Sequence, residues 1–91
     1  MGLPTYHGGK YTVSANMLHE IKEYVHKGII PCSFLRRVIC NNLMGAVTFA
    51  LTDQLANLPA YVLYMHNEAP SSCWGSVDKM EQWIAKFKNQ A

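Results

Sequence analysis

The apolar residues in the first third of the chain recur with the spacing of an amphipathic helix. After Ser14, large apolar side chains fall on one helical face: Met17, Leu18, Ile21, Tyr24 and Val25. Ser14 is a residue type that caps helix N-termini, and Gly28 is the type that ends a helix in a left-handed conformation. The pattern therefore predicts a first helix between Ser14 and Gly28.

A second helix is predicted after Pro31, because proline is tolerated in the first helical turn and Ser33 can cap that turn. Its buried face is expected to comprise Phe34, Leu35, Val38, Ile39 and Leu43. Gly45 is the expected end of this helix, and residues 46–51 are expected to form an apolar connection.

A third helix is predicted over residues 53–68, and Pro59 falls inside it. Its apolar positions are Leu55, Leu58, Tyr61, Val62 and Met65. Either Pro59 kinks one long helix, or Asn57 caps a shorter helix with Pro59 in its first turn, where the missing N–H does no harm. We favour the kinked helix.

A final helix is predicted after the loop at residues 70–75, with Ser76 as its cap. Asp78 lies near its positive end, and Lys86 and Lys88 lie near its negative end, which suits the helix dipole. The expected buried face comprises Met80, Trp83, Ile84 and Phe87.

Residues 1–13 lack a helical period and contain Pro4 and the Gly8-Gly9 pair, so we expect a short irregular N-terminal arm. No segment alternates strongly enough to predict a sheet. A chain of 91 residues holds a single core. The sequence therefore predicts an all-α fold, a single-domain bundle of about four helices over residues 14–91 that follows the arm at residues 1–13.

Charged residues make up 15% of the chain, against about 25% in typical domains, so they leave apolar surface uncovered. Self-association is the commonest way to cover such surface, and we therefore expect a homo-oligomer. The formal net charge of +2 is low for a protein that binds nucleic acid, so we do not expect a nucleic-acid partner.

The three cysteines have no CxxC spacing, which predicts neither a disulfide framework nor a zinc site and favours a reducing cytoplasm. The longest apolar stretches are far shorter than the roughly 20 residues of a membrane span, so we expect no membrane association. We also expect no cofactor.

The first candidate ligand site lies at the start of the second helix. Free backbone amides, the Ser33 hydroxyl and the guanidinium of Arg36 or Arg37 could converge there on a phosphate. The alternative is that Ser33 only caps the helix, while the arginines lie in solvent or pair with Glu20 or Glu23.

The second candidate ligand site is the loop that carries Ser72, Trp74 and Ser76. An indole ring beside a helix N-terminus could stack on a nucleotide base and bind its phosphate. The alternative is that Trp74 folds back as a hydrophobic staple over the last helix, with Gly75 relieving the turn.

Two further kinds of chemistry have little support from the residues. His19, Glu23 and His26 share one face of the first helix with metal-ligand spacing, but a solvated helix face explains them as well, and we predict no metal site. No pattern places a base beside Cys32 or Cys73. We therefore predict no catalytic residues and expect that the protein is not an enzyme.

A DNA-binding helix-turn-helix is an alternative interpretation of the first two helices. The second helix would then offer Arg36, Arg37, Asn41 and Asn42 to a groove of DNA. The proline in the turn, the large apolar residues of the second helix and the small net charge argue against it.

Several short motifs carry a resemblance to a known family. Residues 28–35 read G-I-I-P-C-S-F-L, residues 41–43 N-N-L, residues 67–70 N-E-A-P and residues 73–76 C-W-G-S, followed by Trp83. Over roughly residues 21–83 the chain resembles a family of small uncharacterised proteins encoded by bacteriophages. It differs in having Cys32 where that family has glycine, and in lacking the family's more acidic, arginine-containing segment at residues 48–52.

The resemblance implies a small viral accessory protein made in the cytoplasm of a bacterial host cell. Such proteins inhibit host machinery or host defence by stoichiometric binding, and some of them take up nucleotide second messengers. Our leading hypothesis is a non-enzymatic homo-oligomer that sequesters a host molecule, with a phosphate-bearing nucleotide favoured as the ligand. The alternatives are a protein-binding inhibitor of a host enzyme or defence complex, and the DNA-binding protein.

Overall fold

The computed structural model describes residues 5–88, and within them the chain is mostly helical, as predicted. Residues 1–4 of the predicted arm and residues 89–91 of the predicted helical domain lie outside the described residues. The elements in chain order are β1 (Tyr6–Gly8), β2 (Tyr11–Val13), α1 (Ala15–Lys27), α2 (Ser33–Ile39), α3 (Leu43–Phe49), α4 (Thr52–Ala56), α5 (Leu58–Glu68), a 3₁₀ turn (Ser71–Cys73) and α6 (Val77–Lys88).

The helix α1 lies where the sequence predicted it. The Ser14 hydroxyl oxygen accepts a hydrogen bond from the Met17 N–H at 3.4 Å, which caps the first turn. Gly28 follows the helix with φ 67°, and its N–H donates to the Tyr24 carbonyl at 2.9 Å. A Cβ on Gly28 would lie 2.9 Å from the Cβ of Phe87 in α6, so both the backbone conformation and the close approach of α6 require glycine.

The second predicted helix is two helices in the structure. The helix α2 ends at Ile39, Asn41 has φ 60°, and the Asn42 carboxamide oxygen accepts from the Gly45 N–H at 2.9 Å to begin α3. Gly45 therefore lies inside a helix rather than at its end, and Leu43, expected to face inward, is 64% exposed. Polar residues set this helix boundary: Asn41 adopts the left-handed conformation and Asn42 caps α3. A pattern of apolar positions gives no indication of either.

The third predicted helix is interrupted, so the favoured kinked helix over residues 53–68 is wrong. Asn57 separates α4 from α5, and Pro59 occupies the first turn of α5, as in the alternative. Asn57 does not cap α5 with its side chain. Its carboxamide oxygen accepts from the Thr12 N–H at 3.0 Å, and its nitrogen donates to the Asp53 carbonyl at 2.9 Å.

Residues 6–13 of the predicted irregular arm form a β-hairpin. β1 and β2 pair antiparallel, with Tyr6 opposite Val13, and the turn between them uses Gly9 at φ 65°. Val13 is fully buried. The rings of Tyr6 and Tyr64 in α5 pack edge to face, with their centroids 5.1 Å apart. Strands of three residues are too short to show a period of two, which is why the sequence pattern did not predict them.

The final helix, α6, begins as predicted. The Ser76 hydroxyl oxygen accepts from the Lys79 N–H at 3.2 Å, and the Ser76 carbonyl accepts from the Met80 N–H at 3.1 Å. Trp83 and Ile84 are buried, whereas Met80 and Phe87 of the predicted face are half-buried.

Buried hydrogen bonds join α1, the 3₁₀ turn and α6. The Tyr24 hydroxyl donates to the Cys73 carbonyl at 2.6 Å. The Trp83 indole N–H is shared between the carbonyl oxygens of Tyr24, at 3.1 Å, and Val25, at 3.2 Å. These bonds satisfy the polar ends of two large aromatic side chains inside the core, where an unpaired group would cost about 1–3 kcal/mol.

Candidate functional site

The first predicted ligand site, at the start of α2, holds a carboxylate from the chain itself. Cys32, rather than Ser33, is the N-cap of α2, and the Cys32 N–H donates to a Glu20 carboxylate oxygen at 2.5 Å. Arg36 donates to the Ser33 hydroxyl at 3.2 Å. Ser33 and Arg36 are therefore close together, as predicted, but a phosphate at this helix start would compete with Glu20.

The two neighbouring arginines of α2 lie on different sides of the helix. Arg36 borders a hollow of about 320 Å³ beside α6, together with Ile84 and Lys88. The Arg37 guanidinium lies over the ring of Phe49 in α3, 5.1 Å from the ring centroid. The structure therefore does not bring both arginines to one anion.

The second predicted ligand site is divided in a similar way. The Ser76 hydroxyl is engaged as the cap of α6, and Ser72 is exposed in the 3₁₀ turn. Trp74 is half-buried, and its ring centroid lies 6.2 Å from that of His66 in α5. Its aromatic contact is therefore with α5, whereas the staple interpretation placed it over α6.

A backbone hydrogen bond of the neighbouring residue places Trp74 near the C-terminal end of α2. The N–H of the next residue, Gly75, donates to the Ile39 carbonyl at 2.7 Å. Ser33 lies at the other end of α2, roughly 10 Å away at 1.5 Å per residue. The two predicted ligand sites therefore do not converge within one chain.

Trp74 and Arg37 border a common groove between α2 and α5, which we call the α2–α5 groove. Its larger part is a hollow of about 300 Å³ lined by Val38, Asn41, Val62, Leu63, Met65, His66 and Trp74. Its smaller part, about 50 Å³, is lined by Arg37, Val38, Asn41, Asn42, Leu43, Ala46, Leu58 and Val62. The shared lining residues are Val38, Asn41 and Val62. Of the six predicted ligand-binding residues, Arg37 and Trp74 line this groove, whereas Ser33, Arg36, Ser72 and Ser76 do not.

A further hollow, about 710 Å³, lies along α1 beside Ile29 and Ile30. Its acidic side chains already have partners in the chain. Glu20 accepts from the Cys32 N–H, and the Glu23 carboxylate lies 3.4 Å from the His19 imidazole and 3.3 Å from the Lys27 ammonium group. Glu23 is therefore paired with residues of its own helix, but its side chain is only 23% exposed, whereas that of His19 is 76% exposed, so the solvated face that the sequence suggested holds for His19 and not for Glu23.

The three thiols have raised pKa values. Burial raises the pKa of Cys73 to about 11, and burial also raises the pKa of Cys40. At Cys32 the cause is again partial burial, to which the neighbouring Glu20 carboxylate adds. A raised pKa keeps a thiol protonated at neutral pH and so disfavours nucleophilic attack.

A second surface was not predicted as a unit. Six large apolar side chains of α3, α4 and their connection are at least 44% exposed: Leu43, Met44, Val47, Phe49, Leu51 and Leu55. Among residues 38–67 the only charged side chain is Asp53. We call these six residues the α3–α4 apolar surface. The long interval almost without charge was the sequence signal that could have located it.

Comparisons of the chain with protein-family models, with curated proteins and with solved structures give no match. None of the helices within residues 5–88 has the length and apolar character needed to cross a membrane. Over the same residues, no group of three or more His, Cys, Asp and Glu side chains is arranged to hold a metal ion.

Proposed function

We propose that this chain is a non-enzymatic phage accessory protein that works by binding: it self-associates and sequesters a host molecule in the bacterial cytoplasm, countering host defence. The observation that carries the proposal is the α3–α4 apolar surface. Six large apolar side chains of neighbouring elements are 44–83% exposed there, and clustered exposed apolar side chains mark interaction sites. The resemblance to phage proteins supports the setting.

A second copy of the chain suits this surface better than a charged partner. Asp53 is the only charged residue between positions 38 and 67, and Arg37 lies over Phe49, so the surface offers few charges for a charged partner to pair with. It also offers little repulsion to an identical copy. A two-fold interface places one patch against itself, which an apolar patch with few charges tolerates well.

Native mass spectrometry and sedimentation velocity test the self-association. The wild type should form a discrete oligomer at micromolar concentration. Met44→Lys with Leu51→Lys, the two most exposed positions of the surface at 83% and 69%, should give a folded monomer. Val77→Lys is the matched control, because Val77 is a 52% exposed apolar residue on α6 and its replacement should leave the oligomer intact.

A protein-binding inhibitor of a host enzyme is the alternative use of the same surface. A wild type that stays monomeric at every concentration would contradict the homo-oligomer and favour this alternative. The DNA-binding interpretation has less support, because Arg36 and Arg37 border different hollows and Arg37 lies over Phe49.

A phosphate-bearing nucleotide is the ligand that we favour for sequestration. The support is the presence of a cation, Arg37, and an indole, Trp74, along the α2–α5 groove. Native mass spectrometry of the protein purified from phage-infected bacteria tests this, because a retained small molecule adds its mass to that of the oligomer. A mass equal to that of the bare chains would argue against sequestration of a small molecule.

A further inference from the structure

We infer that the α2–α5 groove binds a small molecule in which a flat ring is joined to an anionic group, with the ring beside Trp74 and the anion toward Asn41 and Arg37. The inference rests on the proposed sequestering function and assigns it a site, which differs from both sites that the sequence suggested.

The larger hollow has the character of a ring-binding site. Its wall is apolar, from Val38, Val62, Leu63 and Met65, and the half-buried indole of Trp74 adds an aromatic surface. A volume of about 300 Å³ lies at the lower end of the roughly 300–1,000 Å³ found for ligand pockets. A single ring system fits this size better than an extended peptide.

The charge along the groove is suited to an anion. Arg37, Asn41 and Asn42 border the smaller hollow, and the described lining of the two hollows contains no Asp or Glu. Asn41 lines both hollows, so a ligand whose ring lies beside Trp74 reaches Arg37 by crossing Asn41. Hydrogen bonds from a guanidinium to an anion are about twice as strong as neutral ones.

Trp74 also has an unused donor. Its Nε1 is buried and has no acceptor among the described residues, whereas the Nε1 of Trp83 has two. A buried donor that is left unpaired lowers the stability of the fold. A ring that carries acceptor atoms recovers part of this cost when a small movement of the indole brings the two together, so the ring is expected to be a heterocycle or to bear an oxygen.

The backbone beside the groove is held in an uncommon conformation. Asn41 has φ 60°, the only positive φ of a non-glycine residue within residues 5–88. Asparagine tolerates this conformation better than most residues, and such positions concentrate at functional sites. The conformation brings the α2–α3 turn to the junction of the two hollows.

The experiment compares four probes by isothermal titration calorimetry and thermal shift. Adenosine 5′-monophosphate and indole-3-acetate each join a flat ring to an anion, and they distinguish a nucleotide source from an aromatic carboxylate source. Adenosine supplies the ring without the charge, and inorganic phosphate supplies the charge without a ring. At least one ring anion should bind tenfold or more tightly than either partial probe, and its binding should weaken as salt is raised.

Matched variants locate the bound molecule. Asn41→Asp is nearly isosteric and tolerates the positive φ. It places a negative charge at the junction of the two hollows, so it should lower the affinity for the ring anion at least tenfold. Asn16→Asp changes the net charge equally but lies on the α1 hollow, and it should bind as the wild type does. Arg37→Gln should likewise weaken binding tenfold, and Arg36→Gln should change it less than twofold.

Tryptophan fluorescence gives an independent signal. A bound ring should quench the emission of the wild type, and Trp74→Phe should remove the response because the remaining Trp83 is buried against α1.

Each negative result has a separate meaning. Absence of binding by both ring anions at millimolar concentration overturns the inference and leaves self-association through the α3–α4 apolar surface unaffected. Inorganic phosphate that binds as tightly as the ring anions would show that the ring adds no affinity, which overturns the inference that the groove binds a ring. If Asn41→Asp binds a ring anion as tightly as the wild type does, the groove is not the binding site. The proposal that the protein sequesters a nucleotide would remain. A monomeric wild type that still binds a ring anion would contradict the proposed self-association alone.

Discussion

The region where α1 packs on α6 and the region formed by α3 and α4 use apolar residues in opposite ways. In the first, Gly28 approaches Phe87 closely, Trp83 donates to two carbonyls of α1, and the apolar stripes face the core. In the second, the large apolar side chains face outward, as on Met44 and Leu51. The chain completes the first region by itself, whereas we propose that a second copy of the chain covers the second.

The largest expected effect comes from introducing an aspartate into each region in turn. Ile84→Asp buries an unpaired carboxyl group at a position that is 9% exposed, and it should lower the free energy of unfolding by about 4 kcal/mol or more. Leu51→Asp, at a position that is 69% exposed, should change it by less than about 0.5 kcal/mol in the monomer.

Urea denaturation followed by circular dichroism measures both variants, at a protein concentration where sedimentation shows a monomer. Equal losses for Ile84→Asp and Leu51→Asp would mean that α3 and α4 belong to the same packed core as α6. The comparison between the two regions would then fail.

Two glycines give a smaller contrast of the same kind. Gly28→Ala forces alanine to φ 67° and against the backbone-proximal Cβ of Phe87, so it should cost about 2–3 kcal/mol. Gly45→Ala, inside α3, would come within 3.0 Å of the side chains of Asn42 and Arg37, which must shift, and the gain in helix propensity offsets part of that cost. The net change at Gly45 should stay below about 1 kcal/mol.

Thermal melts of the two glycine variants give these differences directly. A large loss at Gly45→Ala would show that the side chains of Asn42 and Arg37 are fixed in place, so that α3 is as tightly packed as α6. A small loss at Gly28→Ala would show that α6 can move away from α1.

The comparison also explains which elements could be predicted from the sequence. The stripes of α1 and α6 matched the structure because each faces a core supplied by the same chain. The second helix was predicted to continue past Ile39 to Leu43, because exposed apolar residues show the same spacing as buried ones. Only the polar residues, Asn41 and Asn42, mark the true boundary, through backbone conformation and capping.

The candidate site was harder to predict than the fold, for a topological reason. Arg37 and Trp74 were both identified from their chemistry, but their partners come from α5, through Val62, Leu63 and His66. Local motifs such as a capped helix start describe only one element at a time. The sequence offered no sign that Glu20 would occupy the start of α2 or that residue 75 would bind to the end of α2.

The smallest expected effect is a pH dependence that should separate the two regions. Burial raises the pKa of Cys73 to about 11 and that of Tyr61 to about 12, and it raises the pKa of Tyr24 further still. The unfolded chain releases these protons near pH 9 for cysteine and pH 10 for tyrosine, while the folded chain retains them. The unfolded state therefore binds fewer protons above pH 9, so the free energy of unfolding should fall as pH rises from 9 toward 12.

The α3–α4 apolar surface should not respond over the same range, because residues 41–60 contain neither tyrosine nor cysteine. Sedimentation velocity at pH 7 and pH 9 should therefore give the same oligomer, and dissociation at higher pH should coincide with loss of the helical signal. Tyr24→Phe removes one titrating hydroxyl and should make the fall in stability between pH 10 and pH 11 shallower, although it also loses the hydrogen bond to Cys73 at every pH. Dissociation at pH 9 with the helices intact would contradict the comparison, because it would place a titrating group of the core at the surface where the copies meet.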